Sequence, residues 1–387
     1  MFCGYRIPLW GCCRTADDWE FGPAHPRIGD SPGTPPEKEK GGGGIGDKVH
    51  RYRWRQIESL TGKFAPDAVV GEGGSSTVYL ARLPDASLAA VKLHRPSERF
   101  HRAFRQELDV LLRLRHPHIV RLLGYCDDRG WARNRVRIRP FPSSPNLALI
   151  SWPRAIAEEE GVLVLEYEPN GSLHEKLHGG GGTALPWARR MAVAHQVARA
   201  LEYLHDGCDP TVIHGDVKAA NVLLDGGMEA KLCDFGSARA GFSAAVAPPR
   251  SGRAMAVGSP GYIDPYYLRT GMVSKKSDVY SFGVLLLEIV TGEEAFDAQR
   301  ELRLTAAMAA ALRSPGERGA KVVDARLGEE YDAGEAAAAL TVAAMCVGDN
   351  PGLRPSMTEV VKMLRETAAA SVAPPVAVMP AKAKDGR

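Results

Sequence analysis

Two polar residues, Asn221 and Asp234, flank a segment whose pattern predicts a β-hairpin. Apolar residues dominate 222–224 and 228–233, and Gly226 and Gly227 lie between them. Two short apolar strands around a Gly-Gly turn fold the chain back, so the two polar residues are expected to lie close together. A carboxylate beside an amide oxygen suits Mg²⁺, which also takes phosphate oxygens and water. The alternative is a pair of polar hairpin ends that face solvent, because such residues are common at strand ends.

Charged residues just upstream of this hairpin add a candidate chemistry. Asp216 can accept the proton of an attacking hydroxyl group, and Lys218 can neutralise charge on a transferred phosphoryl group. Phe235 and Gly236 follow Asp234, and a glycine there permits a hinge-like backbone beside a metal ligand.

A glycine cluster nearer the N-terminus predicts a phosphate-binding loop inside another hairpin, with strands near 69–70 and 77–80. Backbone without a Cβ atom can approach phosphates closely, and Val78 could cover a flat base. Alone, such a cluster is equally typical of a flexible turn. The predicted nucleotide-binding residues of this segment are Val70, Gly71, Glu72, Gly73, Gly74, Ser75, Ser76, Thr77 and Val78.

The next two elements supply a cation and a buried carboxylate. A strand over 88–93 carries Lys92, which can reach the α- and β-phosphates from behind the loop. A helix is predicted over 99–114, where Glu107 shares one face with apolar residues such as Phe104 and Leu108. A buried carboxylate needs a cationic partner, and Lys92 is the natural one. The alternative places Glu107 at the edge of the apolar stripe with its carboxylate in water.

Composition limits the class of protein and its domain layout. The chain has 387 residues and a net charge of +3, so no nucleic-acid partner is expected. Seven cysteines match neither a disulfide framework nor a zinc site. We expect an α+β protein with two lobes. The expected ranges are a Pro/Gly-rich tail at 1–52, a small β-rich lobe at 53–166, a larger helical lobe at 167–367 and a second tail at 368–387.

These motifs, in this order, resemble the eukaryotic protein kinase family, and in particular plant receptor-like cytoplasmic kinases, over about residues 53–367. Residues 214–221 resemble the catalytic loop and 234–236 the magnesium motif. Residues 277–284 are similar to the helix whose Asp278 binds the backbone of the catalytic loop. The remaining similar segments are the lead-in at 53–64 and the late helical motif at 353–357.

The resemblance implies the bilobal protein kinase fold and an ATP- and Mg²⁺-dependent serine/threonine protein kinase acting in intracellular signalling. It makes Leu165 the gatekeeper and Glu166 and Tyr167 the adenine-binding hinge. The implied catalytic residues are Asp216, Lys218, Lys92 and Glu107, and the implied metal ligands are Asn221 and Asp234. A pseudokinase that acts as a scaffold through protein–protein contacts remains the alternative.

The expected partners are protein substrates and a membrane receptor kinase, and the expected location is the cytoplasm. The N-terminal cysteines, Cys3, Cys12 and Cys13, leave two interpretations open. They are free thiols in a tail, or they are acylated and bring the chain to the plasma membrane by peripheral contact.

Several positions depart from the family pattern. Gly215 replaces the catalytic-loop Arg that pairs with a phosphorylated activation segment, so activity is expected to depend little on that phosphorylation. Ser76 replaces the third loop glycine and is expected to weaken nucleotide binding modestly. Tyr266 replaces the Glu that pairs with Arg354, so Arg354 must find another partner or water, which could loosen the substrate-side segment.

Two further segments carry hypotheses of their own. Ser251 and Ser259 are candidate phosphorylation sites, and for Ser259 we favour a structural role near the catalytic Asp. Residues 130–157 interrupt the spacing of the family with a long aperiodic segment, which is unusual in a compact domain. This segment is either a surface insertion or an unspliced piece of intron, and we favour the second.

Overall fold

The computed structural model describes residues 49–127, 161–179, 183–241, 258–318 and 321–372. The hypotheses on the N-terminal cysteines, the 130–157 segment and Ser251 lie outside these ranges. The strands are β1 His50–Arg51, β2 Val69–Glu72, β3 Ser76–Arg82, β4 Leu88–His94, β5 Leu122–Cys126, β6 Val162–Glu166, β7 Val212–Ile213, β8 Val222–Leu224, β9 Ala230–Leu232, β10 Arg239–Ala240, β11 Phe296–Asp297 and β12 Leu302–Arg303.

The helices divide unequally between the two lobes, with α1 and α2 beside the first six strands and the others in the second lobe. They are α1 Trp54–Leu60, α2 Glu98–Leu111, α3 Leu173–His178, α4 Trp187–Glu202, α5 Pro265–Thr270, α6 Lys275–Thr291, α7 Leu304–Ala307, α8 Ala309–Arg313, α9 Pro315–Arg318, α10 Ala333–Cys346, α11 Met357–Thr367 and α12 Ala369–Val372. Within the described part of the chain, no helix is long and apolar enough to cross a membrane.

The first lobe is built on one six-stranded sheet in the order β1-β5-β6-β4-β3-β2. The pairs are antiparallel except β1 with β5. The predicted hairpin around the glycine cluster is present as β2 and β3. Alternation along β4 sends Ala89 and Val91 into a core with Trp54 and Ile57 of α1. Lys92 therefore points to the opposite face, where α2 lies.

The second lobe is helical and packs around α4 and α6. Nearly every residue of α6 from Ser277 onward is buried, so this helix forms the centre of the lobe rather than one amphipathic wall of it. The predicted hairpin after Asn221 is present as β8 and β9, which pair from Val222 opposite Leu232 to Leu224 opposite Ala230. The predicted α+β architecture with a β-rich first lobe and a helical second lobe is confirmed.

The predicted boundaries need three corrections. The first tail does not reach residue 52, because β1 pairs with β5 and Tyr52 N donates to Tyr125 O at 2.8 Å. The second tail does not begin at 368, because Ala368 is buried and α12 follows it against α4. The helix predicted over 99–114 is α2, which ends at Leu111.

Candidate active site

Lys92 lies between two carboxylates from different parts of the chain. Its Nζ donates to both carboxylate oxygens of Glu107, at 2.9 and 2.8 Å, and to Asp234 Oδ1 at 2.8 Å. Lys92 and Glu107 are almost fully buried, with side chains 4% and 1% exposed. The predicted pairing of Lys92 with Glu107 is confirmed. Glu107 lies on the buried face of α2, and the alternative, with its carboxylate in water at the edge of the apolar stripe, is wrong.

The electrostatics of this trio favour the charged forms. Burial alone would lower the pKa of Lys92, but the carboxylates of Asp234 and Glu107 outweigh it and raise that pKa above its usual range. Burial alone would raise the pKa of Asp234, but the Lys92 ammonium overcomes it and lowers the pKa to about 2. Asp234 is therefore an anion at neutral pH, as a metal ligand must be.

The sequence interpretation missed one residue of this cluster, His94. Its Nε2 lies 3.3 Å from Glu107 Oε2, and its Nδ1 lies 3.3 Å from Gly161 O. The signal was present, because His94 lies two residues after Lys92 on β4 and so shares its face of the sheet. His94 supports the carboxylate that in turn holds Lys92.

The hairpin β8–β9 joins Asn221 to the segment of Asp234 as predicted. Cys233 N donates to Asn221 O at 2.9 Å, which brings the chain just before Asp234 alongside Asn221. The side-chain amide Nδ2 of Asn221 donates to Asp216 O at 2.8 Å and Asp216 Oδ2 at 3.2 Å. With the amide nitrogen committed to Asp216, the amide oxygen of Asn221 is left for another partner.

Asp216 is the centre of a second hydrogen-bonded group. Lys218 Nζ donates to Asp216 Oδ2 at 2.8 Å and to Ser259 Oγ at 2.8 Å. Ser259 Oγ donates to Asp216 Oδ1 at 2.9 Å, so both carboxylate oxygens are oriented. The predicted structural role of Ser259, a hydrogen bond close to Asp216, is confirmed.

Asp278 at the start of α6 fixes the backbone that leads into Asp216. The backbone N–H groups of His214 and Gly215 both donate to its carboxylate at 2.8 Å, as predicted. His205 Nε2 lies 2.9 Å from Asp278 Oδ2. Burial opposes the charge on Asp278, but these interactions outweigh it and lower its pKa.

Gly215 has a backbone conformation that glycine adopts without strain. Its φ is +78°, and a Cβ atom built there would lie 2.8 Å from Ser237 O. Gly215 lines a small cavity of about 40 Å³ together with Asp216, Arg239 and Ser259.

The predicted nucleotide-binding residues occupy the edge hairpin of the sheet. Val70, Gly71 and Glu72 lie on β2, Ser76, Thr77 and Val78 lie on β3, and Gly73, Gly74 and Ser75 connect the strands. Ser76 is buried, and its hydroxyl has no hydrogen-bond partner among the residues that the structure describes.

The predicted hinge lies at the end of the central strand β6 and in the residue after it. Leu165 lies opposite Ala90 on β4, and Glu166 ends the strand. The Glu166 carboxylate accepts from Arg121 N at 2.8 Å and from Lys231 Nζ at 3.2 Å. Since Arg121 precedes β5 and Lys231 belongs to β9, Glu166 ties the sheet of the first lobe to the hairpin of the second.

Arg354 has a partner that the sequence interpretation did not identify. Its guanidinium forms two hydrogen bonds to the Asp264 carboxylate, Nη1 to Oδ2 at 2.8 Å and Nη2 to Oδ1 at 2.9 Å. The expectation that Arg354 finds another partner is confirmed, because the carboxylate two residues before Tyr266 takes the place of the missing Glu. Tyr266 N donates to Asp264 Oδ1 at 2.9 Å, so Asp264 is also the N-cap of α5.

Comparison with known proteins identifies the family. A family profile described as the protein kinase domain matches residues 64–364. The salt tolerance receptor-like cytoplasmic kinase 1 of Oryza sativa subsp. japonica is 50% identical over 381 residues, which cover 96% of this chain and 96% of that protein. A receptor-like protein kinase of Arabidopsis thaliana is 41% identical and covers 80% of this chain and 86% of its own length.

A leucine-rich-repeat receptor-like serine/threonine-protein kinase of Arabidopsis thaliana is 36% identical over 82% of this chain, which corresponds to 32% of that longer protein. Neither the family match nor these relatives favour the pseudokinase alternative. The order of the motifs, the bilobal fold and the similarity to known kinases over nearly the whole chain all indicate the same family. The chain belongs to the protein kinase family and is a serine/threonine protein kinase of the plant receptor-like cytoplasmic type.

Proposed function

We propose that this kinase transfers the γ-phosphoryl group of ATP to a protein hydroxyl with Asp216 as the residue that orients the hydroxyl and accepts its proton. The observation that carries the proposal is the double anchoring of the Asp216 carboxylate by Lys218 and Ser259, at 2.8 and 2.9 Å. A base held in one orientation spends no reorganisation energy when the hydroxyl reacts.

Two lysines carry the positive charge of the proposed mechanism. Lys92, held by Glu107, binds the α- and β-phosphates, and Lys218 neutralises charge on the transferred group. The buried ion pair with Glu107 supports the first role, because it fixes the Lys92 ammonium at one position. The proximity of Lys218 Nζ to Asp216, at 2.8 Å, supports the second.

Asn221 and Asp234 are the proposed ligands of Mg²⁺, and the donor set fits this ion. The Asp234 carboxylate stays anionic because of Lys92, and one of its oxygens, Oδ1, is used by that lysine. The Asn221 amide oxygen is directed away from Asp216 by the two bonds of its amide nitrogen. When bound, Mg²⁺ supplies positive charge to the phosphate oxygens of the nucleotide.

The remaining roles concern the nucleotide and the partners. The loop residues 70–78 would cover the phosphates, and Glu166 and Tyr167 would form the hinge beside the adenine. The kinase family acts on protein substrates, and we infer that this chain works in the cytoplasm downstream of a membrane receptor kinase. The similarity to receptor-like cytoplasmic kinases supports that inference, and acylation of the N-terminal cysteines would add peripheral contact with the plasma membrane.

A phosphoryl-transfer assay tests the proposed roles. The full chain is incubated with radiolabelled ATP, Mg²⁺ and a generic protein substrate, beside Asp216→Asn and the control Asp85→Asn. Asp85 lies in the exposed turn between β3 and β4. We expect Asp216→Asn to lower kcat by at least about 100-fold, since general-base catalysis contributes about 10²–10⁴-fold. If both variants kept the wild-type rate, the proposed role of Asp216 would be wrong.

A further inference from the structure

Three metal-binding side chains meet in the helical lobe at a place that the phosphoryl-transfer site does not use. His174 and His178 lie on α3, and Glu288 lies on α6. One ligand atom from each residue can be chosen so that all three lie within 4.8 Å of one another. The two imidazole centroids are 4.8 Å apart. No local sequence pattern links these residues, because 110 residues separate His178 from Glu288.

The local sequence fixes the two histidines on one side of a short helix. Ser172 and Glu175 form a capping box at its start, with Glu175 N donating to Ser172 Oγ at 3.2 Å and Ser172 N donating to Glu175 Oε2 at 2.7 Å. Residues four positions apart lie one above the other on a helix, so the two imidazoles face the same neighbour. That neighbour is Glu288, whose side chain is only 1% exposed.

Two of these three side chains, His178 and Glu288, already form hydrogen bonds. His178 Nε2 lies 2.7 Å from Glu288 Oε1, and the Tyr262 hydroxyl donates to Glu288 Oε2. Both oxygens of the buried carboxylate therefore have partners without His174. Within the described ranges, His174 forms no hydrogen bond and contacts His178 through its ring. The half-buried His174 imidazole therefore lies beside the His178–Glu288 pair with ring nitrogen atoms that form no hydrogen bond within the described part of the chain.

We propose that His174, His178 and Glu288 bind a divalent first-row transition ion of the Zn²⁺ class. Two imidazoles and one carboxylate are a ligand set that zinc accepts, with water in the fourth position. Mg²⁺ and Ca²⁺ prefer oxygen ligands, so they are poor competitors here. Zinc bonds of about 2.0–2.1 Å place tetrahedral ligand atoms roughly 3.3 Å apart. The observed spread of up to 4.8 Å is wider than that spacing, so binding requires side-chain rotations that draw the three ligand atoms together.

The ion would connect this site to the catalytic loop through one intermediate residue. The Tyr262 hydroxyl donates to Glu288 and accepts from Ala219 N at 3.2 Å, and Ala219 follows Lys218 directly. Glu288 keeps Oε2 for Tyr262 while Oε1 turns from His178 to the metal. Binding joins α3 to α6 by coordination bonds, so the folded state is stabilised by the ion.

Metal titration of the full chain tests the site. Zn²⁺ is added at saturating Mg²⁺ and ADP, which keeps Asn221 and Asp234 occupied, and bound zinc and the melting temperature are measured. The Co²⁺ absorption spectrum then reports whether nitrogen and oxygen ligands surround the ion. The variants are His174→Ala, His174→Asn and Glu288→Gln, and the control is His195→Ala, which removes a half-buried imidazole from α4.

We expect wild type and His195→Ala to bind one more equivalent of Zn²⁺ than the other variants. The affinity of that equivalent should fall by more than about 100-fold on loss of a ligand, since loss of an outer partner alone costs about 10–100-fold. The zinc-dependent rise in melting temperature should disappear with it. Identical stoichiometry and identical thermal shifts in wild type and both His174 variants would overturn the proposal. His174→Asn keeps a polar side chain at this position. It therefore still allows zinc binding to be compared with wild type if His174→Ala or Glu288→Gln folds poorly.

Discussion

Arg354 and Asp264 form a two-point ion pair between the start of α5 and the segment just before α11. The two N–O distances are 2.8 and 2.9 Å, and each residue is only 3% exposed. Arg354 also donates from Nε to Gly348 O and from Nη1 to Lys276 O. The guanidinium thus holds four chain segments together although Tyr266 occupies the position of the usual acidic partner.

Asp264→Asn should destabilise the protein strongly. The variant keeps an oxygen that can cap α5 but leaves the buried Arg354 charge without an anion, which costs about 3–5 kcal/mol in comparable pairs. We expect the free energy of unfolding, measured by urea denaturation, to fall by about 3 kcal/mol. Asp297→Asn is the control: it alters a partly exposed carboxylate at the end of β11, and the asparagine oxygen can still accept from Gln299 N. This variant should change the free energy of unfolding by less than about 0.5 kcal/mol. A loss below about 1 kcal/mol in Asp264→Asn would show that the pair contributes little.

Glu107→Gln should impair catalysis more than folding. Glutamine can still accept from Lys92, but Lys92 then turns toward the remaining charge of Asp234, 2.8 Å away. A misplaced group of this kind costs about 100-fold in rate. We expect kcat/KM for ATP to fall by about 100-fold, measured with steady-state kinetics. Asp109→Asn, on the exposed side of the same helix, should keep the wild-type value, and equal values for both variants would contradict the role of Glu107.

Phosphatase treatment should change the activity little. A phosphate on the activation segment acts by pairing with an Arg beside the catalytic Asp, and Gly215 has no side chain to offer it. We expect kcat to change by less than about twofold, measured before and after treatment, while a kinase with that Arg loses activity in the same assay. Arg239 lines the same cavity as Gly215. A large loss of activity that disappears in Arg239→Gln would contradict the prediction and assign the phosphate to Arg239.

The sequence predicted what depends on neighbouring residues and missed what depends on distant ones. The β8–β9 hairpin followed from two apolar segments around Gly-Gly, and the burial of Glu107 followed from helix periodicity. Asp264 was missed because its partner lies 90 residues away, and no local pattern distinguishes it from any other N-cap. The same limit explains His178 and Glu288, which only the packing of α3 against α6 brings together.

The predicted boundaries of the two tails were wrong for a related reason. Nothing in the composition of residues 50–51 or 369–372 indicates order, because each segment gains its structure from a partner. His50 and Arg51 pair with β5, and α12 packs on α4 while Ser371 Oγ donates to Glu335 Oε2 at 2.7 Å. A short segment with weak propensity becomes ordered when tertiary contacts offset its entropy, and those contacts are not readable from the segment itself.

Glu168, two residues after the hinge residue Glu166, should make stability depend on pH near neutrality. Burial and the nearby Glu166 charge raise the pKa of Glu168 from its usual 4.5 to about 7. Between these two values the folded protein binds more protons at this residue than the unfolded chain does, so stability falls as the pH rises. Above about pH 7 the full cost of the buried charge is present.

Glu168→Gln removes this ionisation and should therefore stabilise the protein at high pH. We expect the variant to gain about 2 kcal/mol over wild type at about pH 8, at about 1.4 kcal/mol per unit of pKa shift and with allowance for partial relaxation. At about pH 4.5 most of this difference should be absent, because Glu168 is then protonated in the folded protein and about half protonated in the unfolded chain. Urea unfolding at several pH values measures the difference. Glu330→Gln, at an exposed position, should follow the wild-type profile, and a constant offset between Glu168→Gln and wild type across this range would mean that Glu168 does not titrate there.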